Sequence, residues 1–244
     1  VEQECKFRSD FRVQLVRNWG SDRAIVEDAQ ARDPDTFVEE NRIKPILGKL
    51  IGGKIRHTSP LEHSGMCVYV ECPAVVWWEW TRHRFLPQSR ADHSFNLESG
   101  RYKILKGEFY LTPPERPIEE PDDFKPMRPA HVVNEELTNR TRTEHMILFQ
   151  SAWRSYQRQI EMGVAREVAR NVFGPAIYYS GRVSGGVMTW LHFLALRTKD
   201  NPQTPSSYPQ WEIEQVANKC ETIFADLFPV VHQVFNETGR FTMM

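Results

Sequence analysis

Several clusters of side chains in this sequence could do chemistry. Arg82-His83-Arg84 puts two guanidinium groups around an imidazole, a composition that suits an anion and equally suits a solvated helix end. Trp77, Trp78 and Trp80 stand just before it and call for burial, which moves the basic turn toward the edge of a cleft or interface. Glu98-Ser99-Gly100-Arg101-Tyr102 combines backbone N–H groups made accessible by a glycine, a hydroxyl and a guanidinium, the donor set a phosphate needs. Most such stretches are plain turns. Arg166 and Arg170 share one helix face with Glu167 beside them, a pattern also found on ion-paired surface helices. His192 and Arg197 belong to an otherwise apolar segment, and Gln210-Trp211-Glu212 resumes structure after a polar stretch. A lone histidine there also fits a satisfied core residue, and an arginine at a helix end also fits a cap. His57-Thr58-Ser59-Pro60-Leu61-Glu62-His63 joins a helix to a strand.

Other chemistries lack their signatures. There is no HExxH, and the His57–His63 spacing is not that of a metal site, so no metal is expected. There is no GxGxxG after a strand, no Walker loop and no GxSxG elbow, so any nucleotide site uses another scaffold. Cys5, Cys67, Cys72 and Cys220 show no CxxC pair and read as free thiols in a reducing compartment. The 244 residues are 40% apolar and 26% charged, enough for a core without disulfides or metals. A net charge of -1 gives no global field for nucleic acid or an anionic membrane, so neither partner is expected. The sequence shows neither a membrane span nor the form of a signal peptide, and a cytoplasmic protein is expected.

The elements that must position these clusters can be read from periodicity. Arg12–Val16 and Ser64–Cys72 alternate as strands, and 177–187 reads as extended. Helices are predicted over 22–30, 34–50, 74–84, 130–162, 165–173, 189–197 and 211–235. Phe149, Trp153, Tyr156 and Ile160 form the apolar stripe of the longest. Thr112–Pro129 contains six prolines and is predicted to be a surface connection. Few strands and long helices predict an α+β fold, no internal repeat is visible, and the length suits one large domain or two small ones.

The order of the clusters is more specific than any one of them. Pro60-Leu61-Glu62-His63, Arg82-His83-Arg84, Ser99-Gly100-Arg101-Tyr102, Arg166-Glu167-x-Ala169-Arg170, His192-Phe193-x-x-Leu196-Arg197 and Gln210-Trp211-Glu212-Ile213 together resemble the flavin-dependent thymidylate synthase family over about 57–213. The resemblance implies one domain over residues 1–244, an α+β fold with a small, mostly antiparallel sheet and long helices. It also implies a homotetramer with shared active sites. The implied reaction is FAD-dependent reductive methylation at C5 of a uridine monophosphate, with methylenetetrahydrofolate and NADPH as co-substrates. Catalysis falls to Arg197, Ser99 and His57. Nucleotide binding falls to Glu79, Arg82, Leu97, Glu98, Ser99, Gly100, Arg101 and Arg197, with Arg170 from another subunit. Flavin binding falls to Ser59, Arg82, His83, Arg84, Gly186, Met188 and His192.

The departures from the family lie on the sugar side and at flavin contacts. The connection Phe85–Glu98 is longer than usual, as is Thr198–Pro209. Leu97 stands where Glu or Gln is usual, Glu79 where Gln is common, and Gly186 and Met188 where Asn and Arg are common. A site without a polar sugar contact rejects the wrong sugar weakly. The departures therefore suggest the branch that methylates UMP as well as dUMP, as in polyoxin-type nucleoside antibiotic pathways. Strict dUMP specificity, a 5-hydroxymethyl product, an inactive nucleotide-binding homologue and a single-strand nucleic-acid binder are the competing readings.

Overall fold

The computed structural model describes residues 4–30, 37–53, 56–83, 93–120, 130, 132–198 and 208–240. Its strands are β1 (Lys6–Arg8), β2 (Arg12–Trp19), β3 (Gly65–Pro73), β4 (Ser94–Leu97), β5 (Glu108–Tyr110) and β6 (Tyr178–Gly186). Its helices are α1 (Asp22–Ala29), α2 (Glu40–Gly52), α3 (Ala74–Trp80), α4 (Glu135–Glu161), α5 (Arg166–Ala169), α6 (Val187–Arg197), α7 (Trp211–Leu227) and α8 (Pro229–Glu237). Four strands form an antiparallel sheet in the order β2-β3-β6-β4, while β1 and β5 form a separate parallel pair. The result is the expected mixture of helices and a small sheet. Tyr69 alone in β3 is not fully buried, so this strand is covered on both faces rather than alternating as the sequence suggested. All four cysteines are free and buried.

The chain divides into two compact units. The first comprises Val1–Arg12, Glu71–Trp80 and Leu97–Gly181. Its core gathers Cys5, Ala74, Leu105, Phe109, Trp153, Tyr156, Ala169 and Ile177. The predicted stripe of α4 supplies Trp153 and Tyr156, and Phe149 stacks on Phe109 with ring centroids 5.2 Å apart. The Asn134 side chain caps α4 by accepting from the Leu137 N–H at 3.0 Å, which starts the helix after residue 130. Gly107 has φ +67, and a Cβ there would lie 2.6 Å from Trp153, so only glycine fits. Arg8 ties β1 down: it donates to Asp10, to Glu71 at 2.5 Å and to Glu108, and its guanidinium lies 4.4 Å over the Tyr178 ring.

The second unit comprises Val13–Val70, Thr81–Asn96 and Arg182–Met244. Helix α6 is its centre, buried from Val187 to Ala195. The Trp190 indole N–H donates to the Met66 carbonyl at 3.2 Å, fixing α6 to β3. Gly65 permits the close approach of β3 and β6, since a Cβ there would stand 2.3 Å from the Gly185 carbonyl oxygen. The predicted terminal helix is broken in two: Pro229, lacking an N–H, cannot continue α7 and begins α8 instead. The Asp22 carboxylate accepts from the Val230 and Val231 N–H groups at 2.9 and 3.0 Å, so the first residue of α1 caps α8. Among the described residues no helix is long and apolar enough to cross a membrane.

Candidate active site

The phosphate-type cluster is a compact turn in the first unit. The Ser99 carbonyl accepts from the N–H groups of Tyr102 and Lys103 at 3.1 and 3.3 Å, and its hydroxyl accepts from the Arg101 N–H at 3.3 Å. The turn leaves Arg101 half-exposed, paired with Glu167 at 2.9 Å. Arg166 donates to the Tyr102 carbonyl at 2.7 Å, which pins the end of the turn to α5. A Cβ on Gly100 would lie 3.3 Å from Arg170 Cδ, so Arg170 already lies against this turn in the same chain. Three arginines and a serine thus converge on one short turn, an arrangement suited to an anion with several oxygens.

Just before the turn, β4 brings in Leu97 and Glu98. Leu97 is exposed, and the Glu98 carboxylate is held by the Ser180 hydroxyl at 3.1 Å while the Glu98 N–H donates to the Ser180 carbonyl at 2.8 Å. Ser180 was missed by sequence reading, because a serine in a strand carries no local sign of the partner it meets. Glu79 lies half-buried on α3.

The second unit assembles the histidines. Helix α3 stops at Trp80; Thr81 and Arg82 are exposed, and His83 turns back into the interior. His83 meets Phe193 and His192 edge-on, with centroids 5.1 and 6.0 Å apart. Its Nε2 accepts a hydrogen bond from Arg197 Nε at 2.6 Å. Burial first, then the Arg197 charge, holds the His83 pKa down at about 2, so the ring is neutral. A neutral ring that accepts at Nε2 carries its proton on Nδ1. That Nδ1 is buried and has no partner among the described residues. Arg84 lies outside the described residues.

His93 completes the group and was not anticipated, because it falls in the long connection after Arg84. It packs edge-on against Trp190 at 4.5 Å and Phe193 at 5.7 Å. A Cβ on Gly185 would lie 2.7 Å from its ring, so the missing side chain at 185 makes room for it. Burial, then His192, holds the His93 pKa down at about 3, and burial lowers that of His192 as well.

Ser59 opens a short 3-10 turn that packs on α6, with His57 exposed just before it. Gly186 meets that turn closely: a Cβ there would lie 3.3 Å from Glu62 Cα. Met188 is buried at 4% exposure, directed into the unit rather than to its surface. The structure therefore groups His83, His192 and Arg197 with the Ser59 turn and Gly186 packed on the same helix, and separately groups Glu98, Ser99, Gly100, Arg101 and Arg170. Among the described residues no cluster of His, Cys, Asp or Glu could hold a metal ion.

Comparison with known proteins gives a consistent picture. Residues 14–230 match the family model described as thymidylate synthase complementing protein. A flavin-dependent thymidylate synthase from Streptomyces avermitilis is 32% identical over 96% of this chain and 94% of its own length. Another, from Thermus thermophilus, is 31% identical over 92% of this chain and 75% of its own length. Among solved structures, a UMP/dUMP methylase, PolB from Streptomyces cacaoi bound with 5-Br UMP, superposes with a TM-score of 0.87. It is 30% identical over 98% of this chain and 100% of its own. The same protein bound with 5-Br dUMP gives a TM-score of 0.86.

Proposed function

Because this chain belongs to the flavin-dependent thymidylate synthase family, and is therefore an enzyme, we propose that it methylates C5 of the uracil ring in both UMP and dUMP. Methylenetetrahydrofolate is the one-carbon donor in this reading and NADPH the reductant. The observation that carries it is the likeness to a solved UMP/dUMP methylase across 98% of this chain. Leu97 supports sugar tolerance. It offers no polar group where the family usually has one, and the neighbouring Glu98 carboxylate is engaged by Ser180. Without a polar side chain at position 97, discrimination between ribose and deoxyribose is weaker.

The residues present fit a flavin. The His83 Nδ1–H is a buried donor with no partner among the described residues, suited to a carbonyl or phosphate oxygen. Arg82, His83, His192, Ser59 and His57 would hold the flavin, with Arg84, Gly186 and Met188 along its path. When bound, the flavin supplies the reducing equivalents that the transfer requires. Ser99, Gly100 and Arg101 would hold the nucleotide phosphate together with Arg170, and Glu79, Arg82 and Glu98 would border the sugar and base. Arg197 would face the uracil and stabilise the negative charge that develops as C5 becomes nucleophilic. Its bond to His83 uses Nε and fixes the plane of the guanidinium. An enzyme thiolate is not called on: all four cysteines are buried, and burial pushes the Cys5 and Cys220 thiols up.

In this reading residues 1–244 form one catalytic domain that assembles as a homotetramer with shared sites. Exposed Ile147 and Leu148 on α4 support assembly through that helix. Calorimetric titration of the FAD-saturated protein with UMP and with dUMP tests the proposal. Affinities within about tenfold of each other are expected. Binding of dUMP with no detectable binding of UMP would overturn the sugar tolerance. Arg197→Lys is expected to weaken both nucleotides and to reduce turnover by about a hundredfold, because an ammonium cannot keep the planar, bidentate geometry.

A further inference from the structure

Arg240 lies beyond the last of the sequence clusters and is held by four side-chain hydrogen bonds. It is 6% exposed, and among the described residues it is the non-glycine residue with a positive φ, at 53. Gly239 precedes it at φ 88, so the backbone turns sharply to send this side chain inward. Its Nη1 donates to Glu221 Oε1 and to Asn236 Oδ1, both at 2.7 Å. Its Nη2 donates to Glu221 Oε2 at 2.9 Å and to Thr198 Oγ1 at 2.7 Å. Burial alone would raise the Glu221 carboxyl, but hydrogen bonds from His232 and Arg240 outweigh it and hold its pKa at about 2.

Thr198 is the link that matters. It caps α6, is buried, and gives both its N–H and its hydroxyl to the Leu194 carbonyl, at 3.2 and 2.7 Å. The residue before it is Arg197, whose Nε is bonded to His83. The last turn of a helix has carbonyls without intrahelical partners and frays unless something holds it. Here a buried cation stands at the negative end of α6 and grips the capping hydroxyl. An ion pair with Glu221 alone would give stability without touching α6; the bond to Thr198 joins that pair to the turn carrying Arg197.

We propose that Arg240 is a positioning residue for Arg197: through Thr198 it locks the last turn of α6 and so sets where the Arg197 guanidinium is presented to the nucleotide. This rests on the reading that Arg197 meets the uracil. The assignment gives Arg240 itself no contact with substrate or cofactor.

The test uses the full-length, FAD-saturated protein, with Arg240→Met and Thr198→Val each made alone and in the Arg197→Lys background. Each single variant is expected to weaken UMP binding about tenfold. In the Arg197→Lys background the further loss should be under about twofold, since residues acting through one another are not additive. FAD affinity should stay unchanged, and hydrogen exchange at the Thr198 amide should speed up about tenfold without nucleotide. A folded Arg240→Met protein with unchanged UMP affinity and unchanged Thr198 exchange would overturn the proposal. Losses that multiply in the Arg197→Lys background would do the same. If Arg240→Met does not fold, Thr198→Val decides, because it keeps the Arg240–Glu221 pair and removes the hydroxyl that joins Arg240 to the Leu194 carbonyl; unchanged UMP affinity and unchanged exchange in it would overturn the proposal. If the unmodified protein binds neither UMP nor dUMP, the functional reading fails. The Thr198 exchange then decides the clamp alone, and unchanged exchange overturns it too.

Discussion

At the scale of single residues, the neutrality of the buried histidines organises the site. His83 accepts from Arg197 only while its Nε2 lone pair is free of a proton, and a charged ring there would also repel the guanidinium. The folded chain holds His83 at about 2 and His93 at about 3, against about 6.5 when unfolded. Below pH 6.5 the unfolded chain therefore binds protons that the folded chain refuses, and stability falls as pH falls. Each histidine contributes a limiting slope of about 1.4 kcal/mol per pH unit, so together they predict a loss of about 2 kcal/mol between pH 6.5 and 5.5. Urea unfolding at a series of pH values measures this, and His93→Phe should remove about half of the slope. A pH-independent midpoint across that range would mean that the histidines are solvated. At the Ser99–Tyr102 turn, Arg101 and its partner Glu167 are each about half exposed, with side-chain exposures of 55% and 51%. Glu167→Gln should therefore change nucleotide affinity by no more than about threefold, because exposed pairs contribute little.

At the scale of elements, glycines control how closely the chain can pack. Gly65→Ala places a methyl group 2.3 Å from the Gly185 carbonyl and 2.5 Å from Trp19, neither of which can yield easily. A cost of about 2–3 kcal/mol in urea unfolding is expected, and a cost under about 0.5 would show that β3 and β6 can separate. Much of this scale was legible in the sequence. The apolar stripe of α4, the strand β3 and the apolar helix α6 carry periodicity over enough residues to be read. Strands β1 and β5 span three residues each, too short to show alternation, and exist because Arg8 and the pairing of Phe7 with Phe109 hold them. The charged and glycine-rich clusters were visible because such residues interrupt apolar context. The roles of Ser180, His93 and Arg240 were not, since each depends on a partner far along the chain and on no local pattern. The break at Pro229 was written in the sequence, where proline forbids continuation of α7, but the apolar spacing across it suggested a single helix.

At the scale of the whole molecule, the first unit holds the Ser99–Tyr102 turn with Arg101, Arg166 and Arg170 against it, and the second holds the neutral histidine group with Arg197. Arg8 anchors β1 in the first unit, with Glu71 and Glu108 mostly buried beside it. Arg8→Met leaves Glu71 and Glu108 only the longer contacts to Arg12 and Lys6, at 3.8 and 3.7 Å, and should cost about 3 kcal/mol, read as a lower denaturation midpoint. The central claim concerns the reaction itself, and product mass tests it most directly. Purified protein would be incubated with FAD, NADPH, methylenetetrahydrofolate and an equal mixture of UMP and dUMP. The account predicts that both nucleotides gain the mass of a methyl group in place of hydrogen. Product from dUMP alone would contradict the sugar tolerance inferred from Leu97 and the likeness to a UMP/dUMP methylase, and a hydroxymethyl mass would contradict the reductive outcome.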